Sequence, residues 1–400
     1  MKYAVLVGDG MGDHAIPELG GRTVLEAART PHMDALAREG LLGLARTIPD
    51  RNEPGSDVAN MAIMGYDPAV YHTGRGPLEA ASMGISLEPD ELAFRLNLVT
   101  LGFDGDRVVM RDHSAGHITS DEARVLIRHL AGALPLSGRQ RLHPGVSYRH
   151  LLVWPGLPDG LPTIPPHDYR DREVTDYLDG RRPGLAPVID LVRASWPILR
   201  DHPVNQARRA AGRSEANSIW PWGQGRPPAM PTYRERWGLS GAVVSAVDLI
   251  KGLGVYAGLE PLDVPGATGL LDTDYEAKVS AALGALETGD YVLVHVEAPD
   301  EAGHQGDWES KLLAVERFDE RIVGPMRAGM EKFGDFRLLI LCDHFTPVSV
   351  KTHTREAVPF ILYPSVHPSG RSYTEAEAEQ AGLFLDQGHT LVDLLLGGQA

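Results

Sequence analysis

Three short segments of this chain combine acids and histidines in patterns that suit metal chemistry. Asp300-Glu301-Ala302-Gly303-His304 sets a carboxylate and an imidazole four residues apart, the spacing that puts two ligands on one helical face. Asp343-His344 places the same two types side by side, with His353 following in the next loop. Asp9 stands in Gly8-Asp9-Gly10-Met11-Gly12-Asp13 directly after an apolar run. All six side chains are hard or borderline ligands of the kind Zn²⁺, Mn²⁺ or Mg²⁺ accept. They are too many for one tetrahedral ion. They suit two ions about 3.5–4 Å apart, a pair that clamps the attacking and leaving oxygens of a phosphoryl displacement. Taken alone, Asp9 reads more simply as a helix N-cap. The coincidence of several such residues at strand ends is what favours a metal site.

A two-ion site needs a nucleophile, and Ser56 in Glu53-Pro54-Gly55-Ser56-Asp57-Val58-Ala59-Asn60 supplies one at the head of an apolar helical pattern. Serine at that position also reads as a plain N-cap, and the two roles are compatible, because free backbone N–H groups at a helix N-terminus favour a phosphoryl group. Neither nucleotide motif is present. Asp13 replaces the third glycine of a dinucleotide fingerprint, and no Walker A lysine pattern occurs. Arg75, flanked by Gly74 and Gly76, could present a guanidinium to phosphate or simply make a turn. Trp220, Trp222, His295 and Cys342 read as packing residues, His295 as a satisfied core histidine within a strand.

The elements that must position these residues follow a repeated grammar. Lys2 to Val7, Tyr291 to Val296, Arg337 to Leu341 and Pro359 to Tyr363 are short apolar runs, most of them ending in polar loops. Helical patterns cover Pro31 to Arg38, with Thr30 as its cap, Glu309 to Lys332, and Ala378 to Leu396. Strand, loop and helix in alternation predict an α/β fold with a largely parallel sheet, whose ligands bind beyond the carboxyl ends of the strands. Between Trp154 and Pro187 stand seven prolines, a density that excludes long helices and central strands. Residues 95–232 therefore read as an inserted smaller α+β domain, and 1–94 plus 233–400 as a discontinuous core.

Composition narrows the function classes. The 400 residues are 43% hydrophobic, enough for a substantial core, and 38 basic against 54 acidic residues give a net charge of −16. That balance favours neither a nucleic-acid backbone nor an anionic membrane, so an anionic substrate needs local cations. The single cysteine, Cys342, excludes an intramolecular disulfide and fits a reducing cytoplasm. No apolar run is long enough for a membrane span or a signal peptide.

The ordered set of motifs resembles a known family. Its carriers are Val7-Gly8-Asp9-Gly10-Met11-Gly12-Asp13, Gly55-Ser56-Asp57 with Gly65-Tyr66-Asp67-Pro68, and Gly74-Arg75-Gly76-Pro77-Leu78-Glu79-Ala80. They continue with Pro265-Gly266-Ala267-Thr268-Gly269, Leu271-Asp272-Thr273-Asp274-Tyr275, Asp300 to His304, and Asp343-His344-Phe345-Thr346-Pro347. Together they run over nearly the whole chain and are similar to the cofactor-independent phosphoglycerate mutases of archaeal type, a branch of the alkaline phosphatase superfamily. The resemblance implies an alkaline-phosphatase-like metalloenzyme core with two divalent ions, Mn²⁺ or Zn²⁺, with Mg²⁺ a third option. It implies that Asp300, His304 and His353 hold one ion, and Asp9, Ser56, Asp343 and His344 the other. It further implies that Ser56 takes the phosphoryl group from 3-phosphoglycerate as phosphoserine and returns it to the 2-hydroxyl, with no bisphosphoglycerate primer. The insert would close as a lid over the released glycerate.

For the substrate's carboxylate and phosphate the expected cations are Arg75, Arg95, Arg149 and Lys251, the last matching a phosphate-contacting lysine of the superfamily. His113 and His117 join them, and with Asp112 are candidate proton carriers on the insert. One departure bears on the acceptor. Where archaeal members carry an arginine-rich stretch, this chain reads Arg111-Asp112-His113-Ser114-Ala115-Gly116-His117-Ile118. That pattern, with Ile219-Trp220-Pro221-Trp222-Gly223, is similar to a bacterial subgroup with a proposed homoserine kinase role. The expected partner is thus a small phosphorylated metabolite, with phosphoglycerate first and a homoserine phosphotransferase as the alternative; a homo-oligomer is left open.

Overall fold

The apolar run at the N-terminus becomes the strand on which the larger sheet is built. The computed structural model describes residues 1–397. In chain order the strands are β1 (Lys2–Gly8), β2 (Leu41–Ala45), β3 (Glu91–Asp104), β4 (Arg107–Asp112), β5 (Arg141–His143), β6 (Arg149–Pro155) and β7 (Ser218–Gly225). They continue with β8 (Gly241–Val244), β9 (Glu260–Leu262), β10 (Tyr291–Val296), β11 (Phe336–Leu341), β12 (Val358–Tyr363) and β13 (Phe384–Leu385). The chain divides into two units, one built from Met1–His72 and the chain from Ala229 onward, the other from Thr73–Pro228.

The larger unit holds an eight-stranded sheet in the order β13-β2-β12-β11-β1-β10-β8-β9. β1 lies between β10 and β11 and is parallel to both. β10 is buried along its whole length and β1 from Ala4 onward, as strands covered on both faces must be, and this is why they read as unbroken apolar runs. The register aligns Gly8 with Val296 and Val7 with Leu341, so the loops that follow β1, β10 and β11 all emerge at one edge. β12 runs antiparallel to β11, with Phe360 opposite Leu341, so the loop joining them stays at that same edge. β2 is antiparallel to β12, pairing Ala45 with Val358, so it too points its carboxyl end there. The mixed α/β architecture with a mostly parallel sheet is thereby established.

The smaller unit is an antiparallel sheet centred on the long β3, which pairs with β4, β6 and β7, while β5 pairs with β6. Helices Ser120–Ala133 and Ala186–Arg200 bury Leu126, Ile127, Leu130, Val188, Ile189 and Val192 in a core shared with Leu96, Leu98 and Trp220. This unit begins at Thr73 rather than at residue 95. A cut at 94 would divide β3, and Ala80 of helix Arg75–Ser82 packs with Ala93, Leu151 and Val153. At the other boundary Thr232 caps helix Tyr233–Trp237 through a capping box with Glu235, so it goes with the larger unit.

Other local expectations change in detail. Helix Pro31–Glu39 forms with Thr30 at its N-cap position, but the threonine side chain makes no cap bond. The Asp319 carboxylate takes that role, accepting from the amides of His32 and Met33 at 3.1 and 2.6 Å. The helical stretch expected over Glu309 to Lys332 contains a π-helical turn at Asp319–Val323. The helix expected over Ala378 to Leu396 is broken. Helix Glu375–Ala381 ends at Gly382 in the left-handed region, β13 follows, and a second helix covers Leu391–Leu395. Among the described residues no helix is long and apolar enough to cross a membrane.

Candidate metal centre and nucleophile

Because β1, β2, β10 and β11 deliver their carboxyl ends to one edge, five chain segments converge there. Asp9 is the residue after β1, and Asp343 and His344 lie just after β11. Helix Ala298–Gln305 begins after β10 and carries Asp300 and His304 one turn apart. His353 lies in the loop between β11 and β12, and Ser56 opens helix Ser56–Ile63 after β2. The convergence depends on close backbone approach at Gly10. Its φ is +63°, and a Cβ there would fall 2.6 Å from Thr346 Oγ1 and 2.8 Å from the Asp300 Cα, so only glycine fits.

Two groups of side chains result. In the first, Nε2 of His304 lies 3.2 Å from Asp300 Oδ2, Nε2 of His353 lies 3.4 Å from Asp300 Oδ1, and the two Nε2 atoms are 3.0 Å apart. His304 is fixed by its other ring nitrogen, which faces the Lys351 carbonyl at 3.1 Å. In the second, Nε2 of His344 lies 3.5 Å from both Asp9 Oδ1 and Asp343 Oδ2. Asp343 is held by the amides of Gly10 and His344 at 3.0 and 2.9 Å and by the Asn60 side-chain amide at 2.8 Å. The groups adjoin, since ligand atoms of Asp9, Asp300 and His344 lie within 4.8 Å of one another. The Ser56 hydroxyl is 3.1 Å from Nε2 of His344. A cavity of about 650 Å³ lined by Glu53, Pro54 and residues 352–356 opens beside His353.

The electrostatics call for positive charge. Burial pushes the Asp9 carboxyl well above its ordinary range, and the neighbouring Asp343, Asp300 and Glu297 push it further. Burial also lowers the His344 imidazole and brings that of His295 down to about 4, so neither supplies a counter-charge at neutral pH. Asp300 behaves differently. Burial raises it, but hydrogen bonds with His304 and His353 outweigh that and hold it well below the usual range, while His304 rises to about 9, chiefly through its bond to Asp300. Asp9 Oδ1 and His295 Nε2 are both buried without a hydrogen-bond partner. Crowded carboxylates, neutral imidazoles and orphaned donor atoms fit divalent cations, and this donor set of carboxylate oxygen and imidazole nitrogen suits hard or borderline ions.

Several readings of single residues change. Ser56 is not an N-cap: Gly55 occupies that position, and Ser56 is the first helical residue, its hydroxyl making no cap bond. Asp9 caps no helix, being followed by the loop at Gly10. His295 is not a satisfied core residue; its Nε2 lies 3.1 Å from Asp9 Oδ2 in a completely buried position. The unbroken apolar run of β10 hid it, because the partner that leaves it unsatisfied follows a neighbouring strand. Cys342 is a buried free thiol, and burial raises its pKa.

The substrate-binding candidates lie in both units. Within the smaller one, Arg95 is bound to Glu79 at 2.8 Å and stacks over Trp222 at 4.4 Å. His113 and His117 sit in the turn after β4, each with its ring edge to Tyr148 at 5.8 and 6.1 Å. His167, which no sequence motif marks, packs against both His113 and Trp222, and its pKa is lowered by burial and by nearby Arg95 and Arg75. Arg75 is the first residue of helix Arg75–Ser82 rather than part of a turn. Arg149 is exposed, its guanidinium over the Tyr148 ring at 6.0 Å from the centroid. Asp112 is spent on its own loop, accepting from the amides of Ser114 and Gly116, which leaves it poorly suited to carry protons. In the larger unit Lys251 lies on helix Asp248–Tyr256, 3.9 Å from Asp263.

Comparison with known proteins gives the chain a family. The family described as 2,3-bisphosphoglycerate-independent phosphoglycerate mutase matches residues 37–205. The chain is 52% identical to the protein of that name from Methanosarcina acetivorans, with 96% of each chain covered. It is 50% identical to the one from Methanosarcina barkeri, with 99% of each covered. Among solved structures, a Pyrococcus horikoshii protein superposes with a TM-score of 0.81 at 29% identity, over 99% of this chain and 96% of that one. The chain belongs to the 2,3-bisphosphoglycerate-independent phosphoglycerate mutase family.

Proposed function

We propose that this protein interconverts 3-phosphoglycerate and 2-phosphoglycerate through a phosphoserine at Ser56, without a bisphosphoglycerate primer. The observation that carries this reading is the Ser56 hydroxyl. It lies 3.1 Å from a buried imidazole, at a helix N-terminus, beside two adjoining groups of carboxylates and histidines. Asp300, His304 and His353 would hold one divalent ion, and Asp9, Ser56, Asp343 and His344 the other. Mn²⁺ or Zn²⁺ suits these donors, and Mg²⁺ is the remaining candidate. When bound, such ions lower the pKa of a coordinated hydroxyl and neutralise charge on the transferring group.

The chain's own residues do the rest. Ser56 Oγ attacks phosphorus, the bond from phosphorus to the substrate's 3-oxygen breaks, and the serine proton ends on that oxygen. The glycerate 2-oxygen then attacks the phosphoserine, its proton returns to Ser56 Oγ, and the phosphoryl group has moved one carbon. Backbone N–H groups at the start of helix Ser56–Ile63 face the phosphoryl oxygens. The cations we assign to the substrate's anionic groups are Arg75, Arg95, Arg149 and Lys251, with His113 and His117. The family name and the 52% identity to a phosphoglycerate mutase support phosphoglycerate over homoserine as the substrate. The test is conversion of 3-phosphoglycerate by Mn²⁺-loaded protein without bisphosphoglycerate, with Ser56→Ala as control. Turnover that needs Ser56 is expected, and turnover surviving the substitution overturns the covalent scheme.

A further inference from the structure

Four imidazoles in the larger unit present Nε2 to a carboxylate oxygen at almost the same distance. His304 and His353 face Asp300 at 3.2 and 3.4 Å, His344 faces Asp9 at 3.5 Å, and His295 faces the other oxygen of Asp9 at 3.1 Å. The first three belong to the two-ion reading. His295 belongs to no sequence motif considered above, yet it shares their geometry.

The His295–Asp9 contact is not a hydrogen bond. Despite the short distance, Nε2 of His295 has no hydrogen-bond partner, and neither has Oδ1 of Asp9, both atoms being buried. Leaving two polar atoms unsatisfied in a fully buried place is costly, about 1–3 kcal/mol for each such group, so something must be shared between them. The opposite side of the ring points the same way. His295 Nδ1 lies 3.4 Å from Ser245 Oγ, as His344 Nδ1 lies 3.3 Å from Thr346 Oγ1 and His304 Nδ1 lies 3.1 Å from a carbonyl. When the oxygen at Nδ1 accepts the ring proton, the Nε2 lone pair is turned inward, the arrangement metal-bound histidines use. Ser245 is in place because β8 is parallel to β10, with Val244 opposite Val294. The group is closed by Asp343: ligand atoms of Asp9, His295 and Asp343 lie within 4.8 Å of one another.

We infer that His295 is a fifth protein ligand of the ion assigned to Asp9, Ser56, Asp343 and His344, with Ser245 as the residue that orients it. The inference rests on the two-ion reading. It makes the two sites unequal, one with two imidazoles and one carboxylate, the other with two imidazoles, two carboxylates and the serine. The second site is also the more buried: Asp343, His344 and His295 have no exposure and Asp9 has 1%.

The test is titration of the metal-free protein with Mn²⁺ by calorimetry, repeated with Co²⁺ while its visible absorption is followed. Wild type binds two ions per chain. His295→Leu binds one with unchanged affinity and the other at least about 10–100-fold more weakly, and the Co²⁺ spectrum of that site changes in intensity because one nitrogen donor is lost. Ser245→Ala, which keeps the imidazole, weakens the same ion about 10-fold and serves if His295→Leu fails to fold. Two ions bound at wild-type affinity, with an unchanged Co²⁺ spectrum, in a folded His295→Leu or in Ser245→Ala overturn the inference while leaving the two-ion reading intact. Fewer than two ions in wild type overturn both.

Discussion

Lys311 and Asp13 form an ion pair with Nζ 2.7 Å from Oδ2 and neither side chain exposed at all. The same ammonium donates to the carbonyls of Gly12 and Thr346 at 2.9 Å each, tying the loop after β1 to the loop after β11. Asp13 completes the arrangement by accepting from the amides of His14 and Val348. Both Asp9 and Asp343 depend on these loops. Lys311→Met leaves a buried carboxylate without its partner and is expected to destabilise the protein by about 3–5 kcal/mol. The double variant Lys311→Met with Asp13→Leu recovers much of that loss. Chemical denaturation of the three proteins checks this, and a double variant no more stable than Lys311→Met contradicts the pairing argument.

Asn60 and Thr346 support the proposed ligands from behind. Asn60 donates to Asp343 Oδ2 at 2.8 Å and to the Ser56 carbonyl at 2.9 Å, and the Thr346 hydroxyl donates to Asp300 Oδ1. Removing such partners typically weakens metal binding about 10–100-fold. Thr346→Val, which removes the partner of both Asp300 and His344, is expected to lower affinity at both ions, and Asn60→Leu at the ion of Asp343. Equilibrium dialysis at limiting Mn²⁺ reads both; Thr346→Ser, which keeps the hydroxyl, should bind as wild type does.

Glu375 gives stability a pH dependence. Burial raises its carboxyl from 4.5 to about 7, although Thr23 and the Asp13 amide both donate to it. Between those values the folded protein holds a proton that the unfolded chain has released. The resulting stabilisation is fully present below pH 4.5 and is lost as pH rises through 7. Glu375→Gln mimics the protonated form, so its stability relative to wild type should improve by up to about 1.4 kcal/mol per pH unit across that window and level off above it. Denaturation curves from pH 4.5 to 8 check this; a constant difference would show that Glu375 is ionised in the fold.

Arg95 is oriented by two contacts at once, the Glu79 carboxylate and the face of Trp222. If it binds an anionic group of the substrate, Arg95→Gln should raise KM about 10–100-fold, the equivalent of one charge-assisted hydrogen bond, and Arg95→Lys should not restore it because the planar fork is lost. Unchanged KM in both variants would assign Arg95 to structure alone.

Much of this was legible in the sequence for a physical reason. Strands buried on both faces leave unbroken apolar runs, and parallel strands bring the residues that follow them to one edge, so Asp9, Asp300, Asp343 and His344 could be collected from their positions after such runs. What escaped depends on partners distant in sequence. An apolar run carries no direction, so the antiparallel course of β12 was not visible. The cap of helix Pro31–Glu39 comes from Asp319, far along the chain. His295 sits inside a continuous buried run like any core residue, and only the approach of Asp9 reveals that its Nε2 is unsatisfied. His167 sits among prolines, and its place beside His113 and Trp222 follows from the folding of that loop.

The central claim is that Ser56 carries the phosphoryl group between two oxygens of one glycerate. The most direct measurement incubates the Mn²⁺-loaded protein with 3-phosphoglycerate labelled in its phosphoryl group and no bisphosphoglycerate, quenches in acid, and follows both label on the protein and 2-phosphoglycerate formed. The account predicts label on Ser56, product in wild type, and neither in Ser56→Ala. Formation of 2-phosphoglycerate by Ser56→Ala, or transfer of the label only to added homoserine, would contradict it.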